Sequence, residues 1–262
     1  MRHTVAVASG KGGVGKSTVA VNLALGLARL GHRVGLLDAD IYGPSIPMML
    51  GLRGQQVEMR EKRLLPIEKF GLRLMSLGFL VQDDSPLIWR GPMVHGVVQQ
   101  FLRDVEWGEL DVLVIDLPPG TGDAQLTLTQ SIPLSGAVVV STPQEIALLD
   151  ARKGLRMFDK VNAPVLGFVE NMGAFVCPSC GAEHAIFSKG GVARAAAELD
   201  VEVLAQIPLD AAVTPGGDRG VPIVEAAPES ETARRFVELA RRVAELVGAG
   251  APPSNAGDGD RR

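Results

Sequence analysis

Residues Gly10 to Ser17 read GKGGVGKS, which meets every fixed position of G-x-x-x-x-G-K-[ST]. The segment follows the strand-like run TVAVAS and opens the helical run STVAVNLALGLARLG, the context in which such a loop binds phosphate. Its glycines free backbone N–H groups to wrap phosphate oxygens, and the helix N-terminus favours their charge. Lys16 reaches the β and γ oxygens, and Ser17 offers a hydroxyl to Mg²⁺. Gly10, Gly12, Gly13, Val14, Gly15 and Thr18 complete the cradle. Lys11 is surplus to the pattern. It is either a solvated loop lysine or a cation that reaches the transferring phosphoryl group from a second subunit, as an arginine finger does.

Two acidic segments follow in the order a nucleotide site needs. LLDADIYGPS ends an apolar run with Asp38 and Asp40, and VLVIDLPPGTGD places Asp116 after four apolar residues. Carboxylates at the C-terminal ends of strands face the ligand crevice of an open α/β sheet. Asp116 is placed to approach Mg²⁺ through water, Asp40 to orient or deprotonate the attacking water, and Asp38 to touch the metal shell or the loop lysine. Isolated aspartates more often cap helices or form turns; three of them beside this loop read as one site.

The chain has two cysteines, Cys177 and Cys180, spaced C-x-x-C within ENMGAFVCPSCGAEHAIF. A redox disulfide would want a helix N-terminus in a thioredoxin-like unit, which this pattern does not offer. A zinc site needs four ligands, and one chain supplies two thiolates with His184 as a third at most. Two copies of the motif across a twofold axis make a Cys₄ set, suited to a [4Fe-4S] cluster or to a bridging zinc ion. Prolines and glycine around the pair argue for an exposed loop rather than two structural thiols.

These residues hang on alternating strands and helices. HTVAVAS, RVGLLDAD, DVLVIDLPPG, GAVVVSTP, APVLGFVENM and VEVLAQIPLD read as buried strands, the signature of a mostly parallel, doubly wound α/β sheet flanked by helices. RLLPIEKFGLRLMSLGF reads as a short hairpin or edge-strand pair around Phe70 and Gly71 that decorates one side of the sheet. The first helix puts Val19, Leu23, Leu27 and Leu30 on one face and stops at Gly31. The last, ESETARRFVELARRVAELVGAG, carries a stripe of Phe236, Ala240, Val243 and Val247, with a Glu238–Arg242 pair on its outer face, and is expected to pack on the sheet. Residues 1–247 form one domain, with the cysteine loop at 176–185 and a disordered tail over 248–262.

Of 262 residues, 46% are apolar and 21% charged, enough to bury a large core, and the net charge is −4. An acidic balance without basic runs argues against nucleic acid as partner. No run approaches the roughly 18 apolar residues of a membrane span, and the N-terminus meets glycines before a secretory core can form, so a cytoplasmic setting is expected. Arg234, Arg235, Arg241 and Arg242 alternate with Glu231, Glu238 and Glu245, a poor surface for anionic lipid.

GKGGVGKST resembles the deviant phosphate loop of the SIMIBI ATPases, the group that includes MinD, ParA and the nitrogenase iron protein. The resemblance implies that Lys11 crosses a homodimer interface to the partner's phosphates. It also implies that Asp40 belongs to the first switch and Gly120 to Asp123 to the second. Asn171 would contact the purine of ATP, with Pro208 to Asp210 flanking the base. GKGGVGKST, DADIYGPS, DLPPGTGD, STPQEIALLDA, ENMGAF, CPSCG and IFSKGG together resemble the Mrp/ApbC branch, from about Thr4 to Val247. That branch implies an ATP-dependent iron-sulfur cluster carrier in which Cys177 and Cys180 share a bridging cluster, passed to apoproteins with slow ATP hydrolysis. Many of its members carry a small domain before the loop; for a chain starting at the first strand, what that domain contributes is expected to be dispensable or supplied by another protein. The competing reading is a MinD- or ParA-like dimeric regulatory ATPase with a zinc-bridged interface.

Overall fold

The computed structural model describes residues 1–40, 43, 45–80, 91–177, 179–180, 182–187 and 190–250. The chain runs β1 (His3–Ser9), α1 (Lys16–Arg29), β2 (Val34–Asp38), α2 (Ile46–Met49), β3 (Met59–Arg60), β4 (Arg63–Leu64), β5 (Ile67–Lys69) and β6 (Leu72–Ser76). It continues through α3 (Gly91–Asp104), β7 (Val112–Asp116), α4 (Asp123–Ser131), β8 (Gly136–Ser141), α5 (Glu145–Lys160) and β9 (Val165–Val176). The last elements are β10 (Glu183–His184), α6 (Gly191–Glu198), β11 (Val203–Leu209), α7 (Val213–Asp218), α8 (Ile223–Ala226) and α9 (Glu231–Leu246).

Nine of the described strands form one sheet in the order β10-β9-β8-β1-β7-β2-β6-β5, with β11 also on β9. The pairings from β6 through β2, β7, β1 and β8 to β9 and β11 are parallel, whereas β5 and β10 add antiparallel edges. β2, β7 and β8 are buried at every position, as expected when helices cover both faces of continuous β-branched runs. The six strand readings match, and the fold class with them.

The sheet reverses direction of growth around β1. The crossover through α1 carries the chain two places to β2, and the one through α4 carries it from β7 to β8 on the far side. Ligands of open α/β sheets bind at such a switch point, outside the strand C-termini, and the loop after β1 is the glycine-rich one. Register does the rest: Val7, Asp38 and Asp116 are neighbours across three strands, so two carboxylates emerge at one level beside that loop.

The reading of an edge-strand pair around Phe70 and Gly71 holds: the chain turns at those two residues, both at positive φ, and β6 pairs with β2 in parallel, so β5 and β6 close one edge of the main sheet. Two local readings are corrected. α1 is buried all round from Val19 to Leu27, because α9 covers the side that the sheet does not. α9 accordingly packs on α1 and β11, capped at its start by the Ser230 hydroxyl, which accepts the Ala233 N–H at 3.2 Å. On its outer face Arg242 leaves Glu238 for Glu202 and Glu245, while Glu238 pairs with Arg241. The tail residues 251–262 lie outside the described residues.

Candidate functional site

The phosphate loop is held by its own charges. Lys16, only 6% exposed, donates to Asp116 Oδ1 at 2.6 Å and lies 3.3 Å from Asp40 Oδ2. The Ser17 hydroxyl donates to Asp116 Oδ2 at 2.5 Å. One lysine thus gathers the two carboxylates expected to serve hydrolysis, at the end of the helix that the loop opens. The oxygen set of Ser17, Asp116 and Asp40 is the hard-donor chemistry that Mg²⁺ takes, so the residues fit that ion.

Asp38 differs from the expectation. It is fully buried, and Lys16 turns to Asp116 and Asp40 instead. Its Oδ1 accepts the Asp40 N–H at 3.1 Å and its Oδ2 accepts the Ser76 hydroxyl at 2.9 Å. Burial, with Asp116 beside it, pushes its carboxyl up to about 8. Burial raises Asp116 as well, against the pull of the Lys16 ammonium. Ser76 is a site residue that the sequence did not single out; its only signal is the parallel register that sets it opposite Asp38. Asp38 therefore positions the backbone of Asp40.

Lys11 lies on the outer side of the loop, partly exposed, with no hydrogen bond or ion pair to its side chain among the described residues. Its backbone carbonyl accepts the Ser9 hydroxyl at 2.9 Å. Gly12 and Gly13 beside it are exposed, whereas Val14 is buried. Asn171 reaches the loop from β9 and donates to the Val14 carbonyl at 2.9 Å. Only glycine fits at position 15: φ is 81° there, and a Cβ would lie 2.1 Å from Asn171 Nδ2. Ile207 pairs with Asn171, which brings Pro208 to Asp210 next to it, and Asp210 is fixed by the Thr232 hydroxyl at 2.6 Å. Gly120 and Thr121 lie in the turn after β7, and Asp123 starts α4.

The cysteines sit at the far end of β9. Glu183 and His184 pair with Val176 and Phe175, and the Cys177 N–H donates to the Ala182 carbonyl at 3.0 Å, so the C-x-x-C segment is the tip of a hairpin. The backbone N–H groups of Ser179 and Cys180 point at the Cys177 sulfur and lower its thiol pKa. Both thiols are free, with Cys180 exposed and Cys177 half-buried. Two N–H groups on one sulfur make a knuckle that favours a thiolate, the form that binds metal. His184 is exposed on β10, and the described residues contain no group of three metal-binding side chains. Ile41, Tyr42 and Pro44 of the first switch, Pro178 and Gly181 of the cysteine loop, and Ser188 and Lys189 lie outside the described residues.

A phosphate loop at a switch point and a thiolate knuckle on one strand are features to compare with known proteins. The ParA family profile, described as NUBPL iron-transfer P-loop NTPase, matches residues 1–244. The chain belongs to that family. An iron-sulfur cluster carrier protein of Aquifex aeolicus is 51% identical to this family member over 94% of the chain and 68% of its own length. The mouse iron-sulfur cluster transfer protein NUBPL is 51% identical over 93% of the chain and 77% of its own length. Among solved structures, a nucleotide-binding protein of Archaeoglobus fulgidus in complex with ADP has a TM-score of 0.78 and 41% identity, covering 89% of this chain and 91% of its own. The cell division ATPase MinD of Pyrococcus furiosus, at 24% identity and a TM-score of 0.71, shares the fold. No helix among the described residues is long and apolar enough to cross a membrane.

Proposed function

We propose that this P-loop NTPase is an iron-sulfur cluster carrier of the cytoplasm, which binds and slowly hydrolyses ATP, holds a [4Fe-4S] cluster between two copies of itself and hands it to apoproteins. The observation that carries this reading is the cysteine knuckle: an exposed hairpin tip with one thiolate favoured by two backbone N–H groups and half of a Cys₄ set. The names of relatives about 50% identical support it.

Each residue takes a part in the hydrolysis. The glycine-rich loop and Lys16 bind the phosphates, and nucleotide draws the Lys16 ammonium off Asp116 and Asp40. Ser17 and Asp116 would hold Mg²⁺, which supplies charge neutralisation at the β and γ oxygens when bound. Asp40, freed of the lysine and fixed through Asp38 and Ser76, orients the attacking water. Lys11 reaches the nucleotide of a second copy, so hydrolysis requires a dimer. Asn171 and the segment from Pro208 to Asp210 contact the base, and the same dimer brings two knuckles together around the cluster. Nucleotide state thereby alters how the knuckles hold their cargo, and by linkage the cargo biases nucleotide binding.

The test is anaerobic reconstitution with iron and sulfide beside a Cys177→Ala/Cys180→Ala control, followed by transfer to an apoprotein acceptor. A brown protein with absorption absent from the control, and an acceptor that gains the colour, supports the carrier. A colourless protein that retains zinc favours the bridged regulatory ATPase instead.

A further inference from the structure

β9, which carries Asn171 and leads directly into Cys177, is irregular at one place along its pairing with β11 beyond Asn171. Ile207 pairs with Asn171 and Leu209 with Phe175, so two steps on β11 face four on β9. The surplus lies between Asn171 and Phe175, at Met172 to Ala174, and Met172 stands at φ 58°, a left-handed conformation that side chains rarely adopt within a strand. Such a feature persists only where its surroundings hold it.

Two contacts hold it, one on each side. The Met172 side chain and the Asn171 amide both pack against Gly15 of the phosphate loop; a Cβ there would lie 3.6 Å from Met172 Cε. Glu170, 5% exposed, folds over Gly173 so closely that a Cβ there would lie 2.5 Å from its Oε1. The same oxygen faces the Gln206 amide at 3.4 Å across the strand pair. Two residues past Gly173 the chain enters the hairpin whose tip is the knuckle. Any shift of the loop on binding phosphate therefore presses first on Asn171 and Met172, and the bulge is the next element in line before the cysteines. Burial raises the pKa of the Glu170 carboxyl, against a backbone hydrogen bond from Val192.

We propose that Glu170, Met172 and Gly173 form a positioning joint that passes the nucleotide state of the phosphate loop to the cysteine hairpin. Glu170 is the clamp that makes the joint stiff, and Met172 is its contact with the loop. This rests on the coupling of the two sites proposed above. It adds which residues carry it.

The test uses the full, reduced, metal-free chain and reads the iodoacetamide alkylation rates of Cys177 and Cys180, with and without a non-hydrolysable ATP analogue. Nucleotide affinity is measured separately. The unaltered chain should show a rate change of about fivefold on binding nucleotide, a typical allosteric coupling. Glu170→Ala should bind the analogue with similar affinity yet lose most of that change. Glu170→Gln, which keeps the side-chain shape over Gly173, should retain it. A Glu170→Ala protein that responds like the unaltered chain overturns the joint. If that variant does not fold, Met172→Gly decides, since it removes both the loop contact and the constrained conformation; an intact response there overturns the joint equally. If the unaltered chain binds the analogue and its thiols do not respond, the coupling of the sites fails first, and the joint with it.

Discussion

The two chemical regions of the molecule lie at the ends of different strands, β1, β2 and β7 for one and β9 for the other, and are built in opposite ways. At the phosphate loop, Lys16, Ser17, Asp38, Asp40, Asp116 and Ser76 are interlocked by hydrogen bonds in a mostly buried cluster. At the hairpin, one thiol is exposed and the other half-buried, and no third metal-binding side chain joins them among the described residues. A catalytic site must be preorganised before its substrate arrives, whereas a carrier must take up and release its cargo. Lys11 belongs in character to the second region: within the loop, yet partly exposed and with its side chain unpaired among the described residues. On the proposed reading, both regions are finished by the same component, a second copy.

The largest effect is expected at the hairpin. Cys177→Ala/Cys180→Ala should abolish cluster binding while leaving the thermal midpoint nearly unchanged, because neither side chain is part of the core. A collapsed, insoluble variant would mean that the pair is structural. Next comes Lys11→Ala, which should cut hydrolysis by about 10³, the lower range for a finger-type cation, with nucleotide still bound; turnover at the unaltered rate would remove the lysine from catalysis. Gly15→Ala strikes the buried region instead. With a positive φ and the Asn171 amide in the way, it should destabilise the fold by about 2 kcal/mol, read by denaturant unfolding.

The smallest effect concerns Asp38 and has a sign set by pH. Its carboxyl titrates near 8 in the folded protein, above the ordinary value of about 3.9. The folded state therefore binds the proton more tightly, and stability falls as pH rises from about 4 towards 8. Asp38→Asn should raise the melting midpoint of the nucleotide-free protein by roughly 3 °C at pH 7.5, with the gain fading towards pH 4. A lower midpoint at pH 7.5 would show that the charged form is well accommodated.

What the sequence displays and what it conceals follow from distance along the chain. The loop from Gly10 to Ser17, the strand runs and the C-x-x-C spacing are local, so composition and spacing expose them. Ser76 acquires its role only through register with Asp38, 38 residues away along the chain. The hairpin at Phe70 has the right turn, but nothing within it says that β6 will join β2. Glu238 and Arg242 are correctly spaced for a helical pair, and Glu202, from the approach to β11, takes the arginine instead. Glu170 is an acid in an apolar strand, readable as odd, yet its contact with Gly173 needs a bulge that no local rule announces.

The central claim is that two copies of the chain complete both sites. Native mass spectrometry of the anaerobically reconstituted protein tests it most directly, because it weighs cargo and assembly together. One [4Fe-4S] cluster in a dimer, with monomer carrying none, is the predicted result. A cluster or a metal ion held by a single chain would contradict it.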